Sequence, residues 1–324
     1  MTQTVEKING RQYRAYANAS GLLFRRNLCC RPFWLEAWWE HFGGNYTPWL
    51  LALKNGGELL GLAPFMISGN TASFMGAIDV CDYQDISTHN SYAETMCNGL
   101  LAYAEAEGIT SLNLGHVRPE SFVLTVLADV AIGKGLNVQV TEEAASMEMQ
   151  LPQSWEGYLK ALTAKQKHEI ERKLRRLAAV GQADYSWHTS PEGLPEMLDN
   201  FIRLFRDCDG EKGGFMTEEM AAYFRTLSSW AADDGYLCIG ILKYPGDILG
   251  MTLGFVDGSA CYLYNSAYNP QYKYCSVGLL SKIYGIKECI TNHIEIWDFL
   301  KGEEAYKHQL GGRTVPLYRC VINI

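Results

Sequence analysis

Gly246-Asp247-Ile248-Leu249-Gly250 repeats, at a constant offset, the pattern of Gly57-Glu58-Leu59-Leu60-Gly61. In both copies a turn glycine precedes an acidic residue, two aliphatic residues and a second glycine, which reads as a strand leaving a tight turn. The flanking patterns agree as well. In the first half, Trp49 to Leu53 reads as a strand, Asn55-Gly56-Gly57 as a turn, Leu59 to Met66 as a second strand and Ala72 to Met75 as a third. In the second half, the same order is Tyr236 to Leu242, Tyr244-Pro245-Gly246, Ile248 to Phe255 and Ala260 to Tyr264. Each meander is followed by a helical segment and one more strand: Tyr92 to Ala106 leads to Leu112-Asn113-Leu114, and Gly278 to Ile290 leads to Ile294-Glu295-Ile296. A helical crossover lets the last strand run parallel to the third. The chain therefore predicts an α+β fold of two similar domains in tandem, each built on a mixed sheet.

The second copy carries helices ahead of its sheet. Thr163-Ala164-Lys165-Gln166 matches a capping box and opens a helix with Ile170, Leu174 and Leu177 on one face. Ser190-Pro191 predicts another start, followed by Leu194, Met197, Leu198, Phe201 and Phe205 at helical spacing, and Thr217 predicts a third. Between the halves, Asn137 to Thr141 and Ser146 to Leu151 read as two short strands around an acidic turn. No Pro-, Gly- or Ser-rich linker intervenes. The expected domains are 1–151 and 152–324, packed as one body with a ligand cleft between them.

A chain of 324 residues exceeds the ~100 to 200 usual for one domain. Its net charge of -8 argues against an open nucleic-acid surface, so no DNA partner is expected and tRNA is disfavoured. The ten cysteines include the vicinal pair Cys29 and Cys30 but no Cys-x-x-Cys or Cys/His ligand spacing. They read as small core residues of a reduced, cytoplasmic protein without a metal. No apolar run reaches the ~18 residues of a membrane span. Nucleophile-elbow and P-loop motifs are missing too.

Four stretches carry candidate chemistry. In Trp297 to Lys307, Asp298 follows directly on a strand, and Lys301, Glu304, Tyr306 and Lys307 gather in the next turn. A partly buried carboxylate beside a lysine can be tuned as a base, against the alternative of a structural ion-pair cluster. Tyr262 to Pro270 leaves a strand with three tyrosines, of which Tyr264 or Tyr268 could donate a proton and all could simply pack. Ser276, Val277 and Gly278 form a helix start whose amides and dipole favour an anion, with Lys273 adding charge; an ordinary capped helix is the alternative. Between 165 and 176 lie six basic and two acidic residues, where Arg172 and Arg175 could meet phosphate or carboxylate groups or form a solvated face.

Asp298-Phe299-Leu300-Lys301-Gly302-Glu303, followed by Tyr306-Lys307, resembles a signature of the CelD- and BioF-like acyltransferase branch of the GNAT superfamily. Phe74-Met75-Gly76 with Asp82-Tyr83 resembles the same branch, and the double-domain architecture is similar to that of the Fem peptidoglycan aminoacyltransferases. The resemblance is firmest from about residue 155 onward. It implies two tandem GNAT-like domains, with acetyl-CoA or another acyl-CoA lying against the splayed third and fourth strands of the second. Lys273, Ser276, Val277 and Gly278 would stand at its phosphate loop, which keeps one of the usual glycines. The acceptor would be an amine or hydroxyl of a saccharide or amino-acid-like small molecule. Asp298 or Glu304 would act as base and Tyr264 or Tyr268 as acid, with Lys307, Tyr306, Lys301, Arg172 and Arg175 contacting anionic substrate. The first domain would bind the acceptor or serve as scaffold. Two other expectations stand beside this one: a Fem-like aminoacyltransferase using charged tRNA, and a non-catalytic accessory or ligand-binding protein of polysaccharide biosynthesis.

Overall fold

The computed structural model describes residues 3–19, 27–76, 80–208 and 211–324. Backbone contacts divide the chain into one unit of residues 1–145 with 315–324 and another of residues 146–314. The division expected near Leu151 thus falls before Ser146, and the last ten residues count with the first unit. The cause of the second difference is strand pairing across a long sequence separation.

The first unit contains β1 (Gln3–Ile8), α1 (Gly10–Ala19), α2 (Pro32–Phe42), β2 (Thr47–Asn55), β3 (Glu58–Ser68), β4 (Thr71–Phe74) and β5 (Ser87–Thr88). These are followed by α3 (Ala93–Ala106), β6 (Ser111–Val117), α4 (Ala128–Gly133) and the opening of β7 (Asn137–Gln150). Strands β2 to β4 form the antiparallel meander read from the sequence, and β1, which that reading did not include, pairs antiparallel with β2. β6 runs parallel to β4, with Thr71 opposite Ser111 and Ala72 opposite Leu112. The final strand, β13 (Arg313–Asn323), lies antiparallel along β6 from Tyr318 to Asn323. Trp49, Phe65, Phe74, Met96, Leu100, Leu112 and Leu114 fill the core beneath α3. In the stretch that carried the resemblance here, Tyr83 is buried, with the Arg118 guanidinium carbon 5.1 Å from its ring centre.

The second unit contains α5 (Trp155–Ala161), α6 (Ala164–Val180), β8 (Asp184–His188), α7 (Leu194–Arg206), α8 (Glu211–Phe215), α9 (Glu218–Asp233), β9 (Leu237–Tyr244) and β10 (Asp247–Asp257). It continues with β11 (Ala260–Tyr268), α10 (Val277–Thr291), β12 (Ile296–Lys301) and α11 (Ala305–Gln309). Its sheet runs β8-β9-β10-β11-β12 and is completed by residues 146–150 of β7. β8 to β11 pair antiparallel, and β11 and β12 run parallel. Trp297, Leu242, Leu249, Leu263, Leu280 and Ile286 are among the buried residues packed between this sheet and α10. Both units therefore have the α+β pattern of meander, helix and parallel strand.

Local capping explains several helix starts. The Thr163 hydroxyl and the Gln166 side chain form the reciprocal capping box on α6, and Thr217 accepts the Met220 N–H on α9. α7 differs: it starts at Leu194 behind Gly193 in the left-handed region (φ 69°), because a second proline, Pro195, takes the first turn in place of Pro191. β7 is also one continuous strand rather than two around an acidic turn. Its Glu143 is held by Arg319 at 2.7 Å, so the acidic residues stay in the extended chain.

The repeat extends to the helix ends. Gly108 after α3 and His293 after α10 both adopt positive φ, 73° and 59°. A left-handed side chain costs energy that glycine avoids, partly offset by glycine's larger unfolded entropy. His293 is exposed. His293→Gly is expected to raise stability by about 0.5 kcal/mol in denaturant titration; a lowered midpoint would contradict this account of the turn.

Candidate functional site

In the second unit β11 and β12 part company. Their ladder joins Ala260, Cys261 and Tyr262 to Ile296, Trp297 and Asp298, yet β11 continues to Tyr268 and β12 to Lys301. Both strands carry a bulge just past the ladder. On β11, Leu263 and Asn265 face the consecutive residues Gly254 and Leu253, so Tyr264 is the extra residue. On β12, Asp298 and Leu300 face the consecutive residues Glu148 and Met147, so Phe299 is extra. A bulge bends its strand and sharpens the twist. Beyond the ladder β11 and β12 no longer pair with each other, and this unpaired stretch is the gap between the strand ends.

At the far end of β11 the chain turns through Pro270–Cys275 into α10. Ser276 takes the left-handed conformation there (φ 58°), and its carbonyl accepts the N–H groups of Leu279 and Leu280, both at 3.0 Å. Val277 and Gly278 are the first two helical residues, whose amides carry the positive end of the helix dipole. The Tyr268 ring lies against Gly278: a Cβ at that glycine would stand 2.9 Å from the ring. Only glycine lets the helix start sit this close to the end of β11.

Cations gather at this helix start. Lys173 Nζ donates to Ser276 Oγ at 3.4 Å, and Arg176 Nη1 donates to the Tyr274 carbonyl at 2.9 Å. Lys282 is buried; its ammonium donates to the Gly278 carbonyl at 2.7 Å and lies 4.7 Å from the Tyr306 ring centre. Lys273 is exposed on the same turn. Together with the helix dipole these charges favour an anion at the gap's outer end.

The basic strip of α6 meets this turn through residues the sequence did not single out. Arg172 is spent on Glu169 in a two-pronged pair at 2.8 and 2.7 Å, and Arg175 is exposed. Hydrogen bonds from Arg172 and Lys173 hold the Glu169 carboxyl down at about 2. Which side of α6 faces the turn depends on how the helix docks, and that is absent from its local pattern. Lys282 was missed for a related reason: at this position of an apolar helix it reads as a tolerated surface residue.

The strand-end cluster is more internal than its sequence suggests. Asp298 is fully buried and accepts the Leu300 N–H at 2.8 Å. Lys307 is 2% exposed; its ammonium donates to the carbonyls of Leu300, Lys301 and Gly302 at 3.2, 2.6 and 3.0 Å and pairs with Glu304 at 2.9 Å. Asp298, expected as a base, and Lys307, expected as a ligand contact, are thus both buried and bonded to the chain itself. Glu304 keeps an exposed carboxylate, and burial raises the Tyr306 phenol. Lys301 contributes its carbonyl to Lys307. The Tyr264 ring packs with Phe224 and Phe255 at centroid distances of 5.3 and 5.6 Å, as an aromatic core residue does. Of the tyrosines singled out from the sequence, Tyr268 is the one beside the α10 helix start.

Among the described residues no group of three or more His, Cys, Asp or Glu is arranged to hold a metal ion. No helix among them is long and apolar enough to cross a membrane. All ten cysteines are buried free thiols.

Residues 164–308, which span α6, both bulged strands and α11, match the family described as Acetyltransferase (GNAT) domain. The fold matches solved structures along nearly the whole chain. FemX aligns with TM-score 0.64 at 12% identity, covering 98% of this chain and 97% of its own. A conserved protein of unknown function from Bacteroides thetaiotaomicron aligns with TM-score 0.66 at 14% identity over 100% of both chains. The C-terminal domain of a candidate lysylphosphatidylglycerol synthetase from Agrobacterium fabrum aligns with TM-score 0.61 at 11% identity, covering 97% and 92%. No curated protein matches the sequence. Residues 164–308 thus match the GNAT domain family, and along nearly its whole length the chain has the fold seen in FemX.

Proposed function

We propose that the second unit binds an acyl-CoA and transfers its acyl group to an amine or hydroxyl of a small saccharide or amino-acid-like acceptor. The observation that carries this reading is the gap between β11 and β12, which ends at a helix start ringed by Lys173, Arg176 and Lys282. Such a donor has phosphates at one end and a neutral thioester on a thin arm at the other. Helix amides and cations suit the first, and a gap between strands suits the second. Ser276 supplies the left-handed turn that a loop glycine usually supplies, so losing that glycine does not remove the cradle.

In this reading the acceptor attacks the thioester carbonyl directly. The peptide re-aimed by the β11 bulge at Tyr264 and Asn265 holds the developing oxyanion. Collapse of the tetrahedral intermediate expels the thiolate, which takes a proton from water and leaves as the free thiol, while Glu304 accepts the proton lost by the acceptor. Release of free thiol from acetyl-CoA and longer acyl-CoAs, across a panel of amino sugars and amino acids, tests the proposal. Acceptor-dependent release supports it, and its absence across the panel, with donor bound, would sink it.

Glu169 competes with any ligand for Lys173. Glu169→Gln is expected to tighten acyl-CoA binding by up to about five-fold, since an exposed pair of this kind is worth ~0.2–1 kcal/mol. Unchanged or weaker binding in calorimetry would remove Lys173 from the site.

A second reading, aminoacyl transfer from charged tRNA, draws on the likeness to FemX and to the lysylphosphatidylglycerol synthetase domain. It predicts steeply salt-dependent RNA binding, against which the net charge of -8 weighs. A third, a non-catalytic accessory protein, predicts that no acyl-CoA is turned over with any acceptor.

A further inference from the structure

Three consecutive carbonyls in one small turn, those of Leu300, Lys301 and Gly302, converge on the Lys307 ammonium. The turn is not one the chain adopts freely. Leu300 is a buried residue in the left-handed region (φ 61°), a conformation that costs a leucine energy and persists only where its surroundings fix it. Two groups do so. From within the strand, the Asp298 carboxylate takes the Leu300 N–H at 2.8 Å. From the following helix, Lys307 takes the carbonyls, with Glu304 as its counter-charge at 2.9 Å. The first unit treats the matching strand alike: His116 near the end of β6 has φ 54°, and its N–H donates to the Glu143 carboxylate. In the second unit the added ammonium fixes the residues beyond the bulge as well.

We infer that Lys307 is a positioning residue: by gathering these carbonyls it holds the end of β12 turned away from β11 and keeps open the gap between them. The inference rests on the proposed donor site for its functional consequence, but not for its structural one. Three N–H donors face four acceptors, so the ammonium acts on the turn rather than on substrate. Without it the carbonyls of Leu300, Lys301 and Gly302 lose their common donor, and the strained turn, held then only by Asp298 and by the pairing of Leu300 and Lys301 with β7, relaxes toward the gap.

The test uses Lys307→Met, which keeps the unbranched apolar stem, one atom shorter, and removes the donors, and Lys307→Arg, which keeps the charge but spreads it over a plane. Hydrogen exchange on the full chain reads the turn without any ligand. In Lys307→Met the amides from Leu300 to Glu303 are expected to exchange at least ten-fold faster, with those of β9 and β10 unchanged, and in Lys307→Arg by an intermediate factor. Equal exchange at the turn in the variants and the parent overturns the clamp. Calorimetry with acetyl-CoA then reads the consequence: Kd rises at least ten-fold for the folded Met variant and is partly restored by Arg. A merely structural lysine would lower the folded fraction and leave the Kd of the folded protein as it was, and that result overturns the positioning role. If the parent binds no acetyl-CoA, the donor reading fails while exchange still decides the clamp. If the Met variant does not fold, the Arg variant carries both measurements.

Discussion

Trp297→Ala is expected to lower the unfolding free energy of the second unit by about 3–5 kcal/mol, the usual loss for a fully buried tryptophan. Trp297 is 1% exposed in the strand that enters the bulge, and α10 lies directly over it: a Cβ on Gly285 would stand 2.9 Å from its ring. Phe299 packs against it at 6.2 Å between ring centres. Its indole N–H makes no hydrogen bond, so the change removes packing and leaves no new unpaired acceptor. The close fit of helix to ring also limits how far the cavity can collapse. Denaturant unfolding followed by a probe in the second unit measures the loss. A change below about 1.5 kcal/mol would mean that the sheet and α10 close over the cavity far more easily than interiors of this density do.

Lys173→Glu combined with Arg176→Glu is expected to weaken acyl-CoA binding about 100-fold, a cost of ~2.7 kcal/mol. Each change removes a cation beside the α10 helix start and puts an anion in its place, where the donor's phosphates lie in the proposed reading. The effect should shrink as salt is raised, because both side chains remain partly accessible and their fields are screened within about 10 Å at 0.1 M. Arg175→Glu serves as the control: both arginines are exposed, but Arg176 donates to the Tyr274 carbonyl at the helix-start turn and Arg175 makes no such bond. It should alter Kd by less than about three-fold, as a screened surface charge does. An equal loss at Arg175 would show that net charge, and not the arrangement at the helix start, governs affinity.

The parts of the fold written in short-range pattern were legible. The two meanders announce themselves by glycine turns between alternating strands, and the capping box at Thr163 and Gln166 is a local hydrogen-bond exchange across only two intervening residues. β13 was not legible as part of the first unit, because its partner β6 lies some two hundred residues earlier and an apolar strand carries no mark of which neighbour it will meet. The start of α7 lies past Ser190-Pro191 because a second proline, Pro195, occupies its first turn.

The candidate site divides in the same way. Gly278, Ser276 and the run from Asp298 to Lys307 were visible as residue types in a telling order. Their roles depended on burial, which sequence states only weakly for charged groups. Asp298 and Lys307 look like reactive groups in the sequence and prove to be the fixings of a strained turn. Lys173, Arg176 and Lys282 look like ordinary surface cations and prove to face the helix start. A carboxylate or ammonium deep in a fold persists when its hydrogen bonds are filled, whether or not chemistry follows.

Titration calorimetry of the full chain with acetyl-CoA, with free CoA and inorganic pyrophosphate as references, tests the central claim most directly. The account predicts saturable binding of acetyl-CoA at a Kd well below one millimolar, weaker binding of pyrophosphate at the same site, and loss of both in the Lys173→Glu, Arg176→Glu protein. Absence of heat at millimolar acetyl-CoA, or binding that the double variant leaves intact, would contradict a donor site at the start of α10.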